Sequence, residues 1–136
     1  MFLFKKKKPD PDVPKSPPVK SKTLTVTGIR YECLYPNKGI FHRQGALRRS
    51  KLGDPVSLRE YDYQGDPAIA VINDRLGCDV GVVKNNQYKK TILNTMKKYD
   101  TRGEIIDLRV FGEDEEFICQ IRIDCYDKEI DNADRG

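Results

Sequence analysis

Five cations, Lys38, Arg43, Arg48, Arg49 and Lys51, lie between Cys33 and Gly53 with no acid among them, and Tyr35 and Phe41 are interleaved. Cations for phosphates and π-faces for unstacked bases are what a binder of single-stranded nucleic acid needs. Asn37, Gly39, Gly45 and Gly53 supply turn chemistry, so the stretch reads as one long connecting loop. The charge balance isolates it further. The 136 residues carry 25 Lys plus Arg against 21 Asp plus Glu, a net +4. Residues 33–53 contribute +5 and residues 1–22 another +5, whereas residues 23–32 with 54–123 carry −3 and residues 124–136 also −3. A near-neutral to acidic body with two positive appendages suits an anionic partner held at one rim.

Other chemistries find little support. His42 is the only His, in a turn-rich basic stretch, and a lone surface His is more often incidental than a general base. Cys33, Cys78, Cys119 and Cys125 contain no C-x-x-C pair, so zinc-finger and zinc-ribbon spacing is missing. Neither a P-loop nor a G-x-G-x-x-G or G-x-S-x-G motif occurs. The acidic run Glu113 to Glu116 reads as a solvated hairpin tip and not as a metal site. The expectation is a protein without catalytic residues, cofactor or metal.

The elements that must position these residues follow from hydrophobic periodicity. Alternation over Leu24–Gly28, Val56–Tyr63 and Ile106–Val110 predicts half-buried strands, and Ala68–Ile72 and Val80–Val83 read as continuous apolar strands. In the last run Phe117, Cys119, Ile121, Ile123 and Cys125 share one face, the cysteines as small apolar fillers. One segment has helical spacing instead. Asn85 or Asn86 can cap it, and Tyr88, Ile92, Met96 and Tyr99 recur every three or four residues as a core face. Six strands with one helix between the fourth and fifth predict a mainly β chain, a small bent sheet or partly open barrel. Residues 1–22 (five prolines in KKKKPDPDVPKSPPVKSK) predict a disordered basic arm, residues 23–126 the folded domain, and residues 127–136 a polar acidic tail. The Lys5–Lys8 run follows Met1–Phe4 at once, leaving no signal-peptide core, so reduced thiols in a cytoplasm are expected, with no membrane span.

Four motifs in order carry a family resemblance. They are Val26-Thr-Gly-Ile-Arg30-Tyr31, Gly53-Asp-Pro-Val56-Ser-Leu58-Arg-Glu60, Asp66-Pro67-Ala68-Ile69-Ala70-Val71 and Gly77-Cys-Asp-Val80-Gly81-Val82-Val83. Over about residues 23–126 the chain resembles the HIRAN domain, in a standalone bacterial or phage-type form. The resemblance implies a modified OB-like or SH3-like β-barrel that binds DNA, similar to domains that grip the 3′ end of a single strand. It implies that Arg30 holds a phosphate and Tyr31 offers a stacking face. It implies that Phe111, before Gly112, lies near the bound strand and that Lys84 falls near an often basic position. The family's Tyr-Asp pair is spread here over Tyr63-Gln64-Gly65-Asp66-Pro67, so Tyr63 and Asp66 match through a different turn.

The sequence therefore predicts a non-enzymatic DNA-binding module for single strands or a 3′ end, working alongside a helicase or nuclease in trans. Its contacts would be Arg30, Tyr31, Lys38, Arg43, Arg48, Arg49, Lys51, Tyr63, Asp66, Lys84 and Phe111. The competing expectation is a protein-interaction barrel that takes a peptide in an aromatic groove and an acidic partner on its basic arm.

Overall fold

The structure, a computed structural model, describes residues 17–128. The Lys5–Lys8 run and the acidic residues beyond 128 lie outside the described residues. Eight strands and two helices follow in order: β1 (Lys20–Thr25), β2 (Glu32–Asn37), β3 (Ile40–His42), α1 (Arg43–Arg49), β4 (Pro55–Tyr63), β5 (Asp66–Asn73), β6 (Cys78–Val82), α2 (Gln87–Lys98), β7 (Tyr99–Phe111) and β8 (Glu116–Asp127). Six of them form one antiparallel sheet in the order β1-β8-β7-β4-β5-β6, and β2 and β3 make a separate hairpin. The six strands expected from periodicity are these six, and α2 lies between the fourth and fifth of them.

The sheet curls until its two edges approach. Just past β1, Thr27 and Val82 of β6 exchange backbone bonds of 2.9 and 2.8 Å, an isolated bridge in place of a full ladder. Gly81 permits that approach, because a Cβ there would stand 2.5 Å from the Thr27 carbonyl oxygen. Inside the curl, Val56, Ile69, Val71, Val80, Ile105, Cys119, Ile121 and Ile123 form the core. Period two sets this arrangement, since alternate residues of β8 (Cys119, Ile121, Ile123, Cys125) are all buried.

Four local readings change. The segment expected as one long loop holds the β2–β3 hairpin and α1, whose Ala46 and Leu47 are fully buried. Lys20 to Lys22, assigned to the arm, pair with β8 as the first half of β1. In β7 the register shifts between Ile105 and Asp107. That bulge puts Ile105 in the core and turns Ile106 outward, against the phase read for it, while Leu108, opposite buried Cys119, keeps the expected core-facing phase. In α2, Asn86 is the cap, its side chain accepting from the Tyr88 amide at 2.9 Å, and Ile92 and Leu93 face the core. Tyr88 of the expected stripe is exposed under the Lys22 ammonium, and Tyr99 already belongs to β7.

Candidate functional site

The β4–β5 hairpin builds the most distinctive surface. Gln64 and Gly65 connect the two strands with φ of 53° and 90°, the left-handed pair of a tight two-residue hairpin turn. Tyr63 therefore lies opposite Asp66, and Tyr61 opposite Ala68, with all four side chains on the sheet face away from the core. On that face they border a groove of about 600 Å³. Ala68 and Val82 line it from the sheet, Tyr61 and Tyr63 from one side, Tyr31, Glu32 and Leu34 from the other, and Asn85 and Lys89 from the start of α2. Tyr31 and Tyr63 are exposed, whereas Tyr61 is half-buried and its phenol is pushed up by that burial.

Arg43 underlies the groove as part of the scaffold. It is only 5% exposed. Its Nε donates to Asp79 Oδ2 at 2.7 Å, and Nη1 donates to the Gly28 carbonyl at 2.7 Å. Asp79, fully buried, also accepts the amides of Leu34 and Tyr35 at 3.0 and 2.8 Å. One buried ion pair thus ties α1, β2 and β6 to the bend at Gly28. Gly28 has φ of 64°, and a Cβ there would stand 3.1 Å from Arg43 Nη1, so both the bend and the close guanidinium favour glycine. Arg43 is consequently not a free cation of a basic loop.

Arg30 projects beside the groove and is engaged by Glu116 through two hydrogen bonds, the Nη2 bond being 3.0 Å. The pair is open to water on the arginine side (76% exposed) and mostly covered on the glutamate side (20%). The guanidinium holds the Glu116 carboxyl below its usual range. The acidic tip is therefore not wholly solvated. Phe111 is opposite Glu116 in the β7–β8 ladder, so its exposed ring leaves the sheet on the face that carries this pair. Lys84 is exposed just after β6 and beside Asn85 of the groove.

The remaining predicted contacts lie elsewhere. Lys38 sits in the β2–β3 turn, where neighbouring Asn37 donates to the Leu76 carbonyl at 2.8 Å. Arg49 offers its carbonyl to Arg75 at 2.6 Å, and the Lys51 amide donates to Asp54 at 2.9 Å. Arg48 lies over the Phe117 ring at 5.2 Å. Lys38, Arg49 and Lys51 thus surround the β5–β6 turn, whereas the groove is at the Asp66 end of β5. An eight-residue strand separates the two, about 25 Å at some 3.3 Å per residue. The single basic and aromatic rim expected from the sequence is divided between opposite ends of one hairpin.

The buried anchor of that second end is Asp54. It accepts from Arg75 Nε and Nη2, Asn73 Nδ2 and the Lys51 amide, all at 2.9 Å. Arg75 foremost lowers its carboxyl from 3.8 to about 2. Cys33 is pushed up to about 12 by burial and by Asp79, and its thiol donates to the Asp79 carbonyl at 3.4 Å. Among the described residues no cluster of His, Cys, Asp and Glu is placed to hold a metal ion, and no helix is long and apolar enough to cross a membrane.

Sequence reasoning missed Tyr61, Lys89 and Asn85 as parts of the groove. For Tyr61 a signal was present, since it shares the period-two phase of Tyr63. Lys89 and Asn85 had none, because the fold brings the start of α2 to the groove. Comparison of the chain with family models, with curated proteins and with solved structures finds no match.

Proposed function

We propose that the protein binds single-stranded nucleic acid, DNA in the first instance, through the tyrosine groove. The observation that carries this reading is the convergence of Tyr31, Tyr61 and Tyr63 on one groove, whose polar lining includes Glu32, Gln64, Asp66, Asn85 and Lys89. Tyrosine faces stack on unpaired bases irrespective of sequence, and each stacked base contributes about 1–3 kcal/mol. Lys84 and Lys89 supply cations at the α2 side, and Arg30 with Phe111 extends the surface on the other. Asp66, exposed and opposite Tyr63, is an acceptor for a sugar hydroxyl, which suits a 3′ end. The motif resemblance to the HIRAN domain points the same way, as does a role beside a helicase or nuclease.

A second reading rests on the charge of the groove. With Arg43 paired to Asp79, the groove's Lys89 faces two acids, Glu32 and Asp66, and Leu34 is exposed, a lining that also suits a short peptide. Titrating a labelled oligothymidine and a matched duplex at two salt concentrations separates the readings. Binding of the single strand that weakens with salt and is weakened further by Tyr63→Ala supports the first. No binding at low salt overturns it. If the strand binds, replacing its 3′-OH by phosphate tests end recognition, and unchanged affinity would leave Asp66 without that role.

A further inference from the structure

Resting on the groove reading, we infer that the basic end of the β5–β6 hairpin is a second contact for the same strand, so that full affinity needs a strand long enough to span both ends. Lys38, Arg49, Lys51 and Arg75 stand around this end with three carboxylates, Asp54, Asp74 and Glu104, the last beside Gly53. All three are engaged, Glu104 by Arg122 Nη2 at 2.9 Å. Asp54 is buried under Arg75, and Asp74 accepts the Ser57 hydroxyl at 2.7 and 2.8 Å. The helix dipole accounts for cations in the last turn of α1, where Arg48 and Arg49 lie, but not for Lys38 or Lys51. Among the described residues, the side chains of Lys38, Arg49 and Lys51 have no acidic partner, and all three are exposed. Such a cluster matches a polyanion better than it stabilises the fold.

The surface between the two ends is suited to a backbone. Along β2 the outward row is Glu32, Leu34 and Pro36, continuing to Lys38, all exposed. Its first two members line the groove and its last belongs to the basic end, and beyond Glu32 it carries no acid. A separation of about 25 Å corresponds to about seven nucleotides at a B-form rise of 3.4 Å, and to fewer in an extended strand. A strand held in the groove then meets the distal cations at high effective concentration, which raises affinity without any new contact in the groove.

Length dependence tests this on the full chain. Three of the chain's seven Tyr line the groove and there is no Trp, so the part of the tyrosine quenching that Tyr63→Phe removes reports on the groove. Oligothymidines of four and twelve nucleotides are titrated against the wild type and against R49E/K51E, whose fold is checked by circular dichroism and melting. The twelve-mer is expected to bind at least about tenfold tighter than the four-mer, and the double variant to abolish that gain without changing four-mer affinity. In R49A/K51A the salt dependence of twelve-mer binding should fall by about 1.4 in log–log slope, 0.7 for each phosphate contact. Wild-type length gain retained in R49E/K51E would overturn the inference, assigning the gain to other cations. Four-mer binding without any length gain would overturn it too, while leaving the groove reading intact. Twelve-mer binding through Arg49 and Lys51 with no four-mer binding or groove quenching would overturn the groove reading and the two-point attachment with it.

Discussion

Two arginine–carboxylate pairs flank the groove, and they differ in nearly everything except chemistry. Arg43 and Asp79 lie beneath it, almost fully buried, each with further hydrogen bonds to backbone groups of other elements. Arg30 and Glu116 lie beside it, the arginine largely in water and, among the described residues, bonded only to the glutamate. Desolvation makes the first pair indispensable once formed, because removing one partner strands a buried charge. The second is screened and its arginine can exchange the glutamate for another anion. Burial thus separates a cation that builds the site from one available to a ligand, although both stand in the same stretch of chain.

The comparison is broken most severely from beneath. Arg43→Ala should destabilise the protein by about 3–5 kcal/mol in urea unfolding, since the buried Asp79 carboxylate loses its cation and the Gly28 carbonyl its donor. A loss under 1 kcal/mol would show that the buried pair does not anchor the β2 hairpin. Above it, Tyr63→Ala should weaken oligothymidine binding by about 1–3 kcal/mol while leaving the unfolding midpoint nearly unchanged, and Tyr63→Phe should restore binding. Equal losses of stability and affinity would make Tyr63 a scaffold residue like Arg43.

Asp54 is an intermediate case, a buried carboxylate paired with the partly exposed Arg75. Its folded pKa is lowered from 3.8 to about 2, so its stabilisation is present above pH 4 and lost as pH falls through about 2. Up to about 2 kcal/mol should disappear over that range, and Asp54→Asn should flatten this part of the pH–stability profile. The smallest effect belongs to the exposed pair. Glu116→Gln should leave the melting temperature within error and, by freeing Arg30, modestly tighten oligonucleotide binding at low salt. A large drop in melting temperature would place Arg30 and Glu116 with the scaffold.

Much of the sheet was legible from alternation, and the reasons are local. Phe117 to Cys125 must place one apolar set on one face of a strand, and Gln64-Gly65 suits a tight hairpin that sets Tyr63 opposite Asp66. The β2–β3 hairpin and α1 were not legible, because their glycines and cations suggest a loop and only Ala46 and Leu47 show which face is buried. The bulge at Ile105–Asp107 was hidden for a related reason. Two adjacent isoleucines, Ile105 and Ile106, admit either phase until the partner strand chooses one.

The candidate site divided in the same way. Residue types that stack on bases or hold phosphates were visible in the chain, and so was the acid-free run from Cys33 to Gly53. Which cations remain free was not visible, because the partners of Arg43 and Arg30 are 36 and 86 residues away. By itself the sequence determined most strand phases, the hairpin turn and the supply of aromatic and basic groups, all consequences of short-range sterics and side-chain alternation. Only the tertiary structure decided that Tyr31, Tyr61, Tyr63 and Asp66 share a groove, that Arg43 lies beneath it, and that the other basic residues of the segment lie elsewhere. Those outcomes depend on the curl of the sheet and the docking of β2 on β6, where burial and long-range pairing set the environment of each charge.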